Sequence, residues 1–121
     1  MIPERARDWI SASLAMAPRL WWGMGDVEAD LAAGEARLWL GERSCVVTRV
    51  RPGVNGEQLL EIWIAGGELA ELKAALPRIE DWGRSVGCTQ AMIDGRPGWV
   101  RELKADGYEP FTVSIRKFLT W

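Results

Sequence analysis

The chain holds 121 residues, with 15 Lys and Arg against 17 Asp and Glu and no histidine. That length suits one domain, and 48% hydrophobic with 26% charged residues is the make-up of an ordinary globular protein. The missing histidine excludes an imidazole base, a Ser-His or Cys-His pair and a histidine metal ligand, and two cysteines, Cys45 and Cys88, cannot form a four-cysteine zinc site.

Charge is spread evenly. Residues 1–60 carry 7 basic and 8 acidic side chains, and residues 61–121 carry 8 and 9, so each half stands at −1. Phosphate binding asks for a basic stripe; none is present, and nucleic acid is not expected as a direct partner. The start, MIPERARDW, lacks the apolar stretch of a signal peptide. No apolar run approaches the ~20 residues of a membrane span. The expectation is a cytoplasmic protein whose two thiols are reduced and buried.

Pro3 opens a helix, as proline does well at a first helical position. Trp9, Ile10, Leu14 and Ala17 recur near helical spacing until Pro18 stops them. Leu20-Trp21-Trp22-Gly23-Met24-Gly25 is an aromatic linker, and Asp26 is placed to cap a short helix over 27–33 that Gly34 ends. Residues 36–40 and 44–50 read as a hairpin, and Pro52-Gly53-Val54-Asn55-Gly56 turns the chain into a third strand over 59–64. That strand's near-continuous apolar character suits burial on both faces. Leu69, Leu72, Leu76, Ile79, Trp82 and Val86 step by three and four along the next helix, which Pro77 is expected to kink or split. A fourth strand over 89–94 follows and lies parallel to the third, by way of the helical crossover. Gly95-Arg96-Pro97-Gly98 then turns into a helix over 99–105, ended by Gly107, and 108–119 reads as a last strand with Phe111, Val113, Ile115 and Leu119 on one face.

This order resembles the GNAT acyltransferase superfamily: an α+β fold with a mixed sheet, in which an antiparallel meander is followed by β-α-β-α-β around a central splayed parallel strand pair. Trp99-Val100-Arg101-Glu102-Leu103-Lys104-Ala105-Asp106-Gly107-Tyr108 is similar to the superfamily's late helix with its Gly-aromatic ending. Ile62-Trp63-Ile64-Ala65-Gly66-Gly67-Glu68-Leu69 and Gly95-Arg96-Pro97-Gly98-Trp99 resemble small GNAT-like proteins of tailed phages and prophages. The resemblance implies one domain over 1–121, with an amino-terminal helix and linker over 1–25 and a core over 26–119.

It also implies where an acyl-CoA would bind. In active members the third meander strand leads into a Gln/Arg-x-x-Gly-x-Gly/Ala loop whose amides cradle the pyrophosphate at a helix start. Here that stretch is Ala65-Gly66-Gly67-Glu68, short, without Gln or Arg, and with a carboxylate in the phosphate's place. Active members often carry a tyrosine four residues before the helix-ending glycine; here that position is Leu103. A carboxylate on the meander often serves as general base, and Glu61, or else Glu57, is the candidate. Either is equally a solvated strand residue. Arg49 and Arg51 share a face and, with Arg43, form a small basic patch or simply a solvated sheet surface.

Eight tryptophans are many for this length. Trp21 and Trp22 either plug one end of the sheet or, with Trp121 and Arg96, offer a contact surface to a partner. One strand after the late helix, where many family members have two, leaves room for a partner strand to finish the sheet. The reading that unites these points is a GNAT-like protein without acyl-CoA cofactor, acting through a protein partner or a second copy in phage or gene-transfer particle assembly. In that setting it is virion-associated. The alternative is an N-acetyltransferase that moves an acetyl group from acetyl-CoA to an amine.

Overall fold

The structure, a computed structural model, describes residues 2–16, 22–94, 98–112 and 115–119. Two helices come first: α1 over Glu4–Met16 and α2 over Met24–Ala32. Ile2, just ahead of α1, and Ala6 and Ile10 within it are buried at the start of the chain, the last two at the four-residue spacing of one helix face. Asp26 does not cap α2 from outside. The helix begins two residues earlier, and the Asp26 carboxylate in its first turn accepts the Gly23 N–H at 2.8 Å.

Four strands follow: β1 over Ala36–Leu40, β2 over Ser44–Pro52, β3 over Gln58–Gly67 and, after helix α3 over Leu69–Ser85, β4 over Cys88–Ile93. They form one sheet in the order β1-β2-β3-β4. The first two pairings are antiparallel and the last is parallel. The short helix α4 over Gly98–Glu102 and a 3-10 turn over Lys104–Asp106 close at Gly107, whose φ of 89° is the left-handed conformation that glycine adopts most easily.

Helix α3 runs unbroken through Pro77. The proline sits on the exposed side, while Leu72, Leu76, Ile79 and Gly83 stay buried in line, so packing on the sheet outweighs one missing backbone bond. The expected last strand is a clear departure: none of the described residues between 108 and 119 forms a strand.

The sheet is covered on both faces. On one side Ile2, Ala6, Ile10 and Val27 pack with Cys45, Val47, Trp63 and Ile64. On the other, Leu72, Leu76, Ile79 and Leu103 pack with Val46, Leu60, Ile62 and Cys88. Trp63 and Ile64 are consecutive yet share a face. The register explains this, since Val47 opposes Ile64 and Thr48 opposes Ile62, leaving Trp63 as the extra residue of a β-bulge. Cys45 and Cys88 are both free thiols, held on opposite faces of the sheet. Burial pushes the Cys45 thiol up to about 11 and raises Cys88 as well, so neither is primed as a nucleophile. Among the described residues no helix is long and apolar enough to cross a membrane.

Candidate functional site

The place to look is where the parallel strands part. β3 and β4 stay paired up to Ile62 and Ile93; there β4 ends, while β3 continues to Gly67. A wedge therefore opens between the end of β3, the first turns of α3, and α4. Its walls are apolar: Ile62, Ala65, Leu72, Leu76, Trp99 and Leu103, with Lys73 at the rim. Among the described residues the cavity between them measures about 10 Å³, room for about one water molecule. Trp63 does not fill it; its ring lies on the opposite face with α1. The filling comes from Trp99 and from Leu103, which is 2% exposed.

Ala65, Gly66 and Gly67 lie within β3 rather than in a loop. Gly66 pairs with Cys45 across the sheet, and a Cβ there would stand 2.6 Å from the Trp9 carbonyl oxygen of α1. Gly67 has φ 108°, and its Cβ would meet the backbone of Arg43 and Ser44. Close approach of α1 and of β2 therefore accounts for both glycines, with no phosphate required.

The start of α3 is occupied by acidic side chains. Glu68, just ahead of the helix, pairs with the Arg43 guanidinium at 3.2 Å. Glu71, in the first turn, accepts the Ser44 hydroxyl and the Arg43 backbone N–H. The Ser44 bond, then the Arg43 amide, hold the Glu71 carboxyl below the usual glutamate range. An anion approaching this helix end meets two carboxylates and the Arg43 guanidinium that pairs with one of them.

Glu61 is buried, and it is not a free base. Its Oε1 accepts Arg49 at 2.9 Å and Arg51 at 3.1 Å. Arg49 also reaches Asp30 of α2 at 3.3 Å and lays its guanidinium over the Trp63 ring, 3.7 Å from the centroid. Arg49 and Arg51 of the expected basic patch thus form an ion-pair network that ties α2 to the sheet, while Arg43 stands apart and pairs with Glu68. The shared face of Arg49 and Arg51 is legible from their spacing; their meeting with Glu61 and Asp30 is not. Glu57 is exposed at the turn before β3, within 3.4 Å of the Thr89 hydroxyl and away from the wedge. Trp22 is half-buried, its ring edge-on to Trp63 at 6.0 Å between centroids. Trp21, Arg96 and Trp121 lie outside the described residues. Among the described residues no group of three His, Cys, Asp or Glu is placed to hold a metal ion.

No family model matches the sequence, and no curated protein matches it significantly. Solved structures do match. Glucosamine-6-phosphate N-acetyltransferase from Arabidopsis thaliana superposes with a TM-score of 0.62 at 12% identity, over 79% of this chain and 76% of that one. An acetyltransferase from Trypanosoma brucei gives 0.58 at 14% identity, over 98% and 97%. Aminoglycoside N-acetyltransferase AAC(6')-Iy, solved in complex with CoA, gives 0.55 at 16% identity, over 78% and 74%. The chain has the fold of the GNAT N-acetyltransferases.

Within this GNAT fold the expected cofactor position combines the wedge with the start of α3. The wedge that would take the acyl arm is packed with Trp99 and Leu103. The helix start that would take the pyrophosphate carries Glu68 and Glu71. The late helix offers Leu103 where a proton donor would stand, and Tyr108 donates its hydroxyl to Glu80 at 2.7 Å. Burial, followed by that bond, raises the Tyr108 pKa.

Proposed function

We propose that this protein keeps the GNAT fold without acyl transfer and works through contacts with other protein chains. The observation that carries the reading is the packed wedge: among the described residues a cavity of about 10 Å³ lies beside the end of β3. A fold by itself does not fix a reaction, so the case rests on this site. The locked Glu61, the acidic start of α3 and the packing-determined Gly66 and Gly67 point the same way. The likeness of the 62–69 and 95–99 sequences to small phage-encoded proteins favours particle assembly as the setting.

Transfer of an acetyl group to an amine is the second reading. What favours it is the similarity to acetyltransferases, one of them solved with CoA. Calorimetry with acetyl-CoA, backed by thermal shift, separates the two. The proposal expects no saturable heat and no shift at ligand concentrations up to about a millimolar, since a ligand that binds only the native state must raise apparent stability. Saturable binding at micromolar strength would overturn the proposal.

A further inference from the structure

Two arginines between β1 and α3 have aromatic rings, not carboxylates, for partners. Arg37 and Trp39 lie two apart on the end strand β1, and Arg78 and Trp82 lie four apart on α3, so each pair shares a face of its element. The fold brings all four together. The Trp39 and Trp82 rings meet edge-on at 5.7 Å between centroids, and the Trp39 indole N–H donates to the Thr48 hydroxyl at 3.0 Å. The Arg37 guanidinium carbon lies 4.8 Å from the Trp39 centroid and 5.1 Å from that of Trp82, and that of Arg78 stands 6.0 Å from Trp39.

Neither charge is neutralised there. Among the described residues six other arginines each hold a carboxylate, whereas Arg37 and Arg78 hold none. Both side chains are exposed. A guanidinium stacked on a ring keeps its N–H edges free, and those edges fit a carboxylate with paired hydrogen bonds. Stacking also holds a long side chain in place before a ligand arrives, which lowers the entropy cost of binding. Trp and Arg are the residues on which protein interfaces concentrate their affinity.

The same geometry selects the ligand. Both guanidiniums lie within 6.0 Å of one ring centre. Carboxylates two residues apart in an extended chain are separated by roughly 7 Å, so a single segment reaches both. A nucleic acid would need open ring faces for its bases and a run of cations for its phosphates. Here Arg37 lies over both rings, and the net charge of the chain is −2. We infer that this patch docks an acidic segment of a partner protein, whose Asp or Glu side chains are received by Arg37 and Arg78. Such a partner is the kind that the protein-contact reading requires, and its docking here rests on that reading.

Fluorescence anisotropy of labelled octapeptides with the full chain tests this. A Glu-Ser repeat should bind saturably and at least about tenfold more tightly than a Gln-Ser repeat. Arg37→Gln with Arg78→Gln should weaken it about tenfold or more, while Arg84→Gln, whose arginine already holds Asp81, should change it less than about twofold. Arg37→Glu with Arg78→Glu should turn the preference to a Lys-Ser repeat, a gain that misfolding cannot produce. No saturable binding, equal binding of the Glu-Ser and Gln-Ser repeats, indifference to the double substitution, an unreversed preference, or tighter binding of oligothymidine would each overturn the inference. None of the four residues lines the wedge, so an acetyl-CoA titration reads the other question separately. Acetyl-CoA binding with the peptide preference intact defeats the non-transferase reading alone. No peptide preference and no acetyl-CoA binding defeats the acidic docking surface alone.

Discussion

Arg49 and Trp63 are stacked, guanidinium carbon to ring centroid at 3.7 Å, on the face of the sheet that α1 and α2 cover. The arginine at once ties Asp30 of α2 to Glu61 of β3. Only a planar fork with a flat face makes both kinds of contact together.

Removing the charge from Glu61 should therefore be costly to stability. The side chain is 5% exposed and holds two arginines, so Glu61→Gln leaves Arg49 partly uncompensated in a desolvated setting. Breaking a buried pair from one side costs on the order of 3 kcal/mol, and urea denaturation of the variant is expected to read about that. A strand glutamate facing water would change stability by roughly 0.5 kcal/mol at most, and a result that small would reject the network as a structural tie.

Gly66 offers a test of what the Gly-Gly pair is for. A methyl group there would sit 2.6 Å from the Trp9 carbonyl, and backbone cannot step aside as a long side chain can. Gly66→Ala should force α1 off the sheet at a cost of about 1–3 kcal/mol, visible as a lower thermal midpoint without any ligand present. Full stability in the variant would return the glycine to a ligand-binding role.

Much of this arrangement was legible in the sequence. The switch from hairpins to alternating helix and strand, with the apolar run over 59–64, led to the GNAT order and to a parallel β3–β4 pair, and both are found. The Arg49–Glu61 contact was readable too, given the right count: three residues back from Pro52 and three on from Gln58 reach Arg49 and Glu61, which stand opposite each other. What could not be read was the bulge at Trp63, because a one-residue insertion leaves composition and periodicity almost unchanged. The state of the wedge was hidden for a related reason. Whether Trp99 and Leu103 fill a gap depends on the path of the chain between β4 and α4, and apolar spacing does not encode that path. None of the described residues of the strand expected over 108–119 pairs, because alternation reports a segment able to pair and not whether it does.

The packed wedge makes its own prediction. Leu103 is 2% exposed and meets Ile62, Leu72 and Leu76 around the small cavity. Leu103→Ala should cost about 3 kcal/mol, the usual toll of a buried leucine whose surroundings relax only in part. Residues that line an open ligand cleft tolerate such truncation. Calorimetric unfolding of the variant decides it: a loss below about 1 kcal/mol would mean that the wedge is open in solution.

Glu71 should leave a signature in the pH dependence of stability. Its carboxyl is held below the ordinary value of 4.5, chiefly by the Ser44 hydroxyl and then by the Arg43 amide, with the Arg43 guanidinium and Glu68 nearby. The folded state thus prefers the ionised form, and the unfolded state binds the proton first as the pH falls. The contribution is complete above 4.5 and disappears as the pH drops through the lower, folded-state value. In Glu71→Gln the neutral amide cannot titrate, so this share of the pH dependence is absent. The stability gap between wild type and variant should be constant from neutral pH down to the glutamate range, then close on further acidification. Because other carboxylates titrate alike in both proteins, the gap isolates Glu71. A gap that stayed constant throughout the acid range would show that the Ser44 and Arg43 contacts do not favour the charged form.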